Sequence, residues 1–437
     1  MKKYRAVLPI ALILLVAISC YKLVSDTGNV GREYESYLTA AREAADVGIT
    51  KTMLENYRAA LEIQDSAGIY AEVAEYYKTK GTARDYLSWC EEFFERYPQE
   101  PKAYDCLLDA YRLEEDYEAC FDVLQTAEKR GVSSDYIRQT QKELWYVFEL
   151  DFNKYADVGN YSNNYCAVSN KGLWGFVDRY GKRRVTCMYE EVGAYTKTNC
   201  VSVVDPEGNA YFIDKSGEKI LAAKEPYRRF GLLVNGIIAA QRTDGKYTYV
   251  NDNFDVLFGV HDYASTINGD IAAVRTGDMW YLINARGESA VEGSYKDVKL
   301  DEKQIAYRND RLFVSVEPGK YIMINGAGVQ VGSLIFEDAR IFSGEEPAAV
   351  KIDGSWCFVN ENGVLISDQK YDDARSFSNG LAAVCIDGLW GFVDLEENMV
   401  IEPQFFGAKD FNEKGSCFVK TGDDWQLLKL YRLNRED

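Results

Sequence analysis

The feature that most constrains this chain is a block of sequence that recurs eight times in its second part, roughly between residues 154 and 431. Trp390 marks the motif position at which the copies of the block are aligned. The equivalent residues in the other seven copies are Trp174, Ala210, Tyr247, Trp280, Tyr321, Trp356 and Trp425. Successive copies lie 33 to 41 residues apart, a spacing that indicates a repeat array, a solenoid or a propeller.

Each copy is predicted to form a β-hairpin. A Gly-containing turn such as Asp387-Gly388 precedes the motif position, and glycine favours hairpin turns because it reaches positive φ without a clash. Two residues after the motif position the side chain is large and apolar, on the same face of the strand. We therefore expect both columns to fill the core. The repeat-core residues are Trp174, Phe176, Trp280, Trp356, Phe358, Trp390, Phe392 and Trp425. The alternative is that the Trp and Tyr column forms an exposed surface for binding sugars or peptides.

The motif at residues 172–178 and again at 388–394 is Gly-Leu-Trp-Gly-Phe-Val-Asp. Together with Tyr-Asp-Asp-Ala at 371–374 and Phe-Ser-Asn-Gly at 377–380, it resembles the bacterial WG repeat family. The resemblance implies a β-rich repeat module found in bacterial, often envelope-associated proteins. It carries no active site with it.

The two ends of the repeat region, residues 151–437, complement each other. Residues 155–164 align with 371–380, the tail of a unit whose hairpin is missing, whereas the last hairpin at 416–429 has no tail of its own. A closed ring pairs these two fragments, and an open array needs caps that the sequence does not show. We therefore predict a propeller-like ring of about eight units. The alternative is an open β-solenoid.

Residues 29–150 are predicted to be helical, with apolar residues spaced three and four apart. Breaks near residues 65–66, 81–82, 98–101, 114–116 and 131–134 divide the region into six or seven short helices. A period of 34 residues pairs Tyr70 with Tyr104 and Cys90 with Leu124, and it resembles tetratricopeptide repeats. The whole chain is thus predicted to be multidomain, α plus all-β.

Residues 1–28 have the pattern of a signal or membrane anchor. Lys2, Lys3 and Arg5 precede an uncharged apolar run from Ala6 to Cys20. The run predicts an uncleaved transmembrane anchor, with lipidation of Cys20 after cleavage as the alternative. Both place the chain at the cell membrane, single-pass or lipid-anchored, with its bulk extracytoplasmic because the positive flank stays inside.

The remaining composition argues against most catalytic and nucleic-acid functions. A net charge of −19 opposes binding to nucleic acid phosphates. The single histidine, His261, and cysteines without paired spacing give no catalytic, metal or cofactor site, so we expect none. Most of the cysteines lie at apolar positions, for instance Cys90, Cys120, Cys357 and Cys385, and are predicted to be buried thiols. Acidic doublets occur at 190–191, 372–373 and 423–424, and we interpret them as turn residues.

The sequence therefore predicts a non-enzymatic, membrane-tethered, extracytoplasmic binding or scaffold protein. Its helical and β-repeat modules would both serve as interaction platforms, and its partner would be a protein or a cell-envelope ligand. The alternative is a cell-envelope glycan-acting hydrolase that uses paired carboxylates, for which the acidic doublets are the candidates.

The mode of membrane attachment is testable by metabolic labelling with a palmitate analogue. We expect the wild-type chain and a Cys20→Ala variant to be equally unlabelled, because an uncleaved anchor leaves the Cys20 thiol free of lipid. Label that enters the wild type and is lost in Cys20→Ala would instead establish the lipoprotein.

Overall fold

The computed structural model describes residues 30–432, and the chain divides into two units between Trp145 and Tyr146. The predicted anchor at residues 1–28, including Cys20, lies outside the described residues. Within residues 30–432, no helix has both the length and the apolar character needed to cross a membrane.

The first unit consists of helices, seven of them within the described residues. They are α1 (30–46), α2 (Thr50–Ile63), α3 (Ala67–Lys80), α4 (Ala83–Arg96), α5 (Pro101–Leu113), α6 (Tyr117–Arg130) and α7 (Asp135–Leu144). The five predicted breaks all fall between helices. Side-chain caps begin several of them: Ser134 accepts from the backbone N–H of Ile137, and Asp116 accepts from that of Ala119.

The positions that repeat every 34 residues form the core of this unit. Tyr70, Tyr104, Cys90 and Leu124 are all buried. Tyr70 stacks on Trp89 at 4.9 Å between ring centroids, so that α3 and α4 pack through aromatic side chains. The helical interpretation of this region is therefore confirmed.

The second unit is a β-propeller of eight blades, with the strands of each blade in antiparallel order along the chain. Blade 1 contains β2 (Asp157–Ser162), β3 (Tyr165–Asn170), β4 (Leu173–Asp178) and β5 (Arg183–Tyr189). Blade 2 contains β6 (Glu191–Val192), β7 (Cys200–Val204), β8 (Ala210–Asp214) and β9 (Lys219–Leu221). Blade 3 contains β10 (Tyr227–Phe230), β11 (Ile237–Arg242), β12 (Tyr247–Asn251) and β13 (Val256–His261). Blade 4 contains β14 (Tyr263–Ala264), β15 (Ala272–Thr276), β16 (Met279–Ile283) and β17 (Ser289–Tyr295).

Blades 5 and 6 have three strands each, and single bridges replace their outermost strand. Blade 5 contains β18 (Asp297–Val298), β19 (Leu312–Glu317) and β20 (Lys320–Ile324). Blade 6 contains β21 (Asp338–Ala339), β22 (Ala348–Ile352) and β23 (Ser355–Val359). Blade 7 contains β24 (Asp373–Ala374), β25 (Leu381–Ile386), β26 (Leu389–Asp394) and β27 (Met399–Phe405). Blade 8 contains β28 (Gly407–Ala408), β29 (Ser416–Thr421) and β30 (Asp424–Leu430), and β1 (Phe148–Tyr155) completes it.

The ring is closed by β1, which pairs antiparallel with the last strand, β30. Tyr155 lies opposite Trp425, as Tyr371 lies opposite Trp356 and Phe405 opposite Trp390 in blades 6 and 7. The first residues of the repeat region thus supply the aromatic residue that the eighth unit lacks. The predicted ring is confirmed, and the open solenoid is excluded.

The turns between the two outer strands have one recurring chemistry. Asp178 Oδ1 accepts from the backbone N–H groups of Tyr180 and Lys182, both at 3.0 Å, while Gly181 has φ +83°. The same contacts are made by Asp214, Asn251, Asn284, Asn325, Asn360 and Asp394. These side chains hold seven hairpins in the same geometry.

The glycine of the Trp-Gly motif is required by a close approach of the neighbouring strand. At Gly391 an added Cβ would lie 2.4 Å from the carbonyl oxygen of Ile401 and 2.8 Å from the nitrogen of Pro403. The register shifts between Trp390 and Phe392, which indicates a bulge that brings the outer strand onto the glycine.

The two repeat-core columns differ in burial. Phe176, Phe358 and Phe392 are at most 1% exposed, and they lie in clusters shared by neighbouring blades. In the Trp column the side chain of Trp356 is buried, with 7% of its surface exposed, whereas the other four tryptophans are half-buried. The half-buried residues are Trp174, Trp280, Trp390 and Trp425. The Trp column is therefore less buried than the column two residues later, and Trp280, Trp390 and Trp425 pack at the margins of the core clusters.

Tyr155 provides a test of ring closure, because its ring packs edge-on against Phe418 of blade 8. We expect Tyr155→Ala to lower the free energy of unfolding by about 3 kcal/mol. Hydrogen exchange should then accelerate in β29 and β30 at the far end of the chain. Tyr295→Ala, which truncates the equivalent residue of blade 4, is the control and should accelerate exchange in blade 4 instead. Unchanged protection of β29 and β30 in Tyr155→Ala would contradict closure through β1.

Candidate functional site: the central cavity

The propeller contains a central cavity of about 1000 Å³. Its walls come from blades 1, 2, 5, 6, 7 and 8, mostly from the first strand of each blade and the segment after it, together with Trp174 and Phe176 of β4. They include polar and charged side chains such as Asn160, Lys303, Arg340, Arg375 and Asp410. Segments far apart in the sequence therefore meet at one concave surface, as ligand sites commonly require.

One position of the repeat, at or directly after the first strand of every blade, is called here the hub position, and four of its eight residues line the cavity. Its backbone N–H donates to the second strand of the same blade, as in Arg375 to Ala383 and Lys409 to Phe418. The hub residues of blades 1 to 4 are Gly159, Gly193, Gly231 and Ser265, and those of blades 5 to 8 are Lys299, Arg340, Arg375 and Lys409. Four consecutive blades thus carry a cation at a position where the other four carry a small residue.

The hub cations join each blade to the next. Lys299 Nζ lies 2.7 Å from Asp338 of blade 6, and Arg340 Nη2 lies 2.8 Å from Asp373 of blade 7. These pairs are partly shielded from solvent, since both cations are at most one-third exposed. They repeat the same bond between successive blades, so they fix the blades relative to one another.

Several hub cations also lie over the aromatic ring of the Trp column in their own blade. Arg340 is 4.7 Å from the ring centroid of Trp356, Lys299 is 4.2 Å from that of Tyr321, and Lys409 is 5.5 Å from that of Trp425. In blade 1 the hub residue is glycine, and Trp174 lines the cavity instead. Of the half-buried tryptophans, Trp425 is thus covered by a cation and Trp174 lines the cavity.

Asp410 is the centre of a charged cluster in the cavity wall. Its carboxylate receives two bonds from Arg375, Nε to Oδ1 at 2.5 Å and Nη2 to Oδ2 at 3.0 Å, and Asn160 Nδ2 donates at 2.8 Å. Burial alone would raise the pKa of Asp410, but Arg375, with Lys409 and Arg340, outweighs burial and holds the pKa below its ordinary value of 3.8. Asp410 is therefore an anion committed to internal contacts.

Glu302 reaches from blade 5 to three other blades. Its carboxylate lies 3.4 Å from Arg375 Nη2 and 3.2 Å from Lys409 Nζ, and it accepts from the backbone N–H of Asn160 at 3.2 Å. The segment that carries Glu302 is held on blade 4, where Thr266 N–H donates to the carbonyl of Gln304. One side chain thus connects blades 5, 7, 8 and 1 at the cavity.

The acidic doublets, which are the residues of the hydrolase alternative, have structural partners in blade 7. Asp372 Oδ2 accepts from the backbone N–H of Asp387 in the hairpin turn, and Asp373 pairs with Arg340 of the preceding blade. In blade 2, Glu191 pairs with Arg229 at 3.0 Å. These carboxylates hold turns and join blades.

The remaining sequence candidates have placements consistent with structural roles. His261 ends β13 opposite Tyr247, where other blades have an aromatic residue, and burial lowers its pKa. The nine cysteines of residues 30–432 are free thiols, and eight of them are buried, as predicted. In this part of the chain, no three His, Cys, Asp or Glu side chains lie together as a metal site would need.

The helical unit has a smaller cavity, of about 720 Å³. Its charged side chains pair with each other: Lys78 Nζ lies 2.9 Å from Asp109, and Arg42 Nη2 lies 2.6 Å from Glu72. Tyr57 also donates to Glu72 at 2.8 Å. The polar groups named here therefore find their partners within the helical unit.

The hub position was missed in the sequence, although a signal for it exists. It lies four residues after the aromatic residue that ends each unit, as Arg375 follows Tyr371 and Lys409 follows Phe405. Aligning this tail across all eight units displays the change from small residues to cations. Without the ring, however, nothing in the sequence indicates that these residues surround one cavity.

The fold is an eight-bladed β-propeller, and part of its ring contains WG repeats. The family model described as WG containing repeat matches residues 356–390 and 390–425, which run from Trp356 in blade 6 to Trp390 in blade 7 and from there to Trp425 in blade 8. These two matches establish WG repeats in that part of the ring. No curated protein matches this sequence.

Three solved structures resemble the chain at low identity. The computationally designed Ika8 protein is 11% identical with a TM-score of 0.45, and the alignment covers 64% of this chain and 98% of that one. BamB from Moraxella catarrhalis is 9% identical with a TM-score of 0.42, covering 65% and 100%. The C-terminal WD40 domain of Sif2 is 11% identical with a TM-score of 0.40, covering 65% and 98%.

The role of Asp410 can be tested by Asp410→Asn. At neutral pH we expect the free energy of unfolding to fall by roughly 2–4 kcal/mol, because Arg375 loses its charged partner. The lowered pKa means that this contribution is complete above the unfolded-state pKa of about 3.9 and is lost as the pH falls through the folded-state value. The measurement is urea unfolding of both proteins at a series of pH values.

The exposed Asp368 is the control for this experiment, and Asp368→Asn should unfold like the wild type at every pH. If the difference between Asp410→Asn and the wild type is absent at neutral pH, or grows as the solution is acidified, the assigned ion pair is wrong.

Proposed function

We propose that the chain is a non-enzymatic binding or scaffold protein, and that the central cavity of its propeller is the ligand site. The proposal rests on the cavity, which has a volume of about 1000 Å³. Six blades contribute to its wall, which contains both charged and aromatic groups. That combination is typical of sites that orient a ligand through a few polar contacts.

The two sides of the cavity differ in chemistry. Blades 1 and 2 contribute aromatic residues, including Trp174, Tyr161 and Tyr195, while blades 5 to 7 contribute Lys303, Arg340 and Arg375. Such a site would stack the body of a ligand on one side and hold its polar group on the other. The ligand would be a partner protein or a component of the cell envelope.

The membrane tether is also part of the proposal, and it is supported by the sequence alone. Lys2, Lys3 and Arg5 before the apolar run would place both units outside the cytoplasmic membrane. The helical unit, with its tetratricopeptide-like period, would then serve as a second interaction platform.

The absence of catalysis is likewise part of the proposal. The hydrolase alternative needs two carboxylates that face a substrate with different pKa values. Asp372 and Asp373 instead hold a turn and an ion pair between blades, which favours binding over hydrolysis.

The proposal is tested by placing a photo-crosslinking amino acid at Ser343, an exposed residue of the cavity wall, in full-length protein in cells. We expect a discrete adduct from position 343, because the ligand would lie against it. Ser333 is also exposed but does not line this cavity, and the same amino acid at position 333 should give no adduct.

A second variant distinguishes the cavity from the helical unit. Position 102 lines the cavity of the helical unit and is the matched site for crosslinking there. Adducts from 102 or 333 with none from 343 would show that the propeller cavity is not the ligand site.

A further inference from the structure

The wall of the central cavity contains hydrogen-bond donors that are not used within the protein. Arg308 Nε, Arg340 Nη1 and Asn412 Nδ2 are buried atoms without a hydrogen-bond partner, and all three residues line the cavity. Among the described residues of the lining, no buried side-chain acceptor lacks a hydrogen-bond partner. Because unpaired buried donors are destabilising, the surplus of donors indicates a ligand that supplies acceptors.

The carboxylates nearest to these donors are already paired. Asp301 Oδ2 accepts from Arg308 Nη2 at 2.8 Å, and Asp410 is held by Arg375. Asp373 accepts from Arg340 Nη2 at 2.8 Å. The bonds that remain unmade by Arg308 and Arg340 are therefore on their other nitrogens.

Lys303 adds a positive charge at the same place. Its backbone is fixed, because its N–H donates to Asp301 Oδ1 at 2.8 Å and its carbonyl accepts from Thr266 Oγ1 at 3.2 Å. Within residues 30–432, Lys303 Nζ has no carboxylate at ion-pair distance. Burial and the charge of Arg308 lower the pKa of Lys303, and together they outweigh the carboxylates of Asp301, Asp410 and Glu302, which raise it.

We propose that the central cavity binds an oxyanion, the carboxylate or phosphate group of a small ligand, through Lys303, Arg308 and Arg340. This inference rests on the proposed function, since it assigns a chemical class to the ligand of the same cavity. A carboxylate or phosphate would accept charge-assisted hydrogen bonds from these donors and neutralise Lys303. A neutral ligand that brings donors of its own would leave them unpaired.

The experiment is isothermal titration calorimetry on the full-length chain in non-ionic detergent, with citrate and pyrophosphate as separate probes and sorbitol as the neutral control. We expect saturable binding of at least one anion and none of sorbitol. Which anion binds distinguishes the carboxylate from the phosphate source. Lys303→Met should weaken that binding about 10- to 100-fold, since a charged hydrogen-bond donor is lost.

Two variants separate a lost site from a damaged fold. Lys303→Met removes a partly buried charge that has no carboxylate at ion-pair distance, so its melting temperature should equal or exceed that of the wild type without ligand. Lys215→Met removes the same charge from an exposed turn of blade 2 outside the cavity and should bind like the wild type. Lys303→Arg keeps a cation and should retain part of the affinity.

The inference is overturned if neither anion binds the wild type, or if Lys303→Met binds as tightly as the wild type. Its failure is distinguishable from failure of the proposed function. An adduct from position 343 that persists in Lys303→Met would retain the cavity as the ligand site while rejecting the oxyanion. If the wild type gives neither an adduct from position 343 nor anion binding, both the proposed function and the oxyanion site are rejected.

Discussion

The pairing of β1 with β30 is the contact on which the rest of the propeller depends. Each blade buries its two faces against its neighbours, and only a closed ring gives the first and last blades two neighbours each. The closure joins residues separated by most of the unit, with Leu150 opposite Leu428 and Tyr155 opposite Trp425. Such distant pairing costs more loop entropy than the local hairpins, so the ring is completed by its least local contact.

Much of this architecture could be predicted because it depends on local rules. The repeat spacing, the Gly turns and the Asx residues such as Asp178 each specify a hairpin from neighbouring residues alone. Ring closure was also predictable, because a missing tail and a surplus tail are visible in the sequence. The helix breaks are marked by the same kind of local signal, for instance Ser134 before α7.

The candidate site could not be predicted in this way, because it depends on contacts between units. Lys299 and Arg340 look like ordinary surface cations until the ring places Asp338 and Asp373 beside them. Trp425 likewise cannot be interpreted from its own hairpin, since the cation over its ring, Lys409, comes from the segment after β28. Lys303 has no local signal at all, and only the position of its turn on blade 4 directs it to the cavity wall.

The division of the hub position into four small and four long side chains has a geometric consequence. In a ring of identical blades, free space would lie on the axis and would be the same in every direction. Here Gly159 and Gly193 have no side chain in blades 1 and 2, whereas the long side chains of Arg340 and Arg375 occupy the equivalent space in blades 6 and 7. The cavity is therefore not symmetric about the ring, and blades 3 and 4 contribute no residue to its lining. An eight-bladed ring thereby offers a ligand one orientation instead of eight equivalent ones.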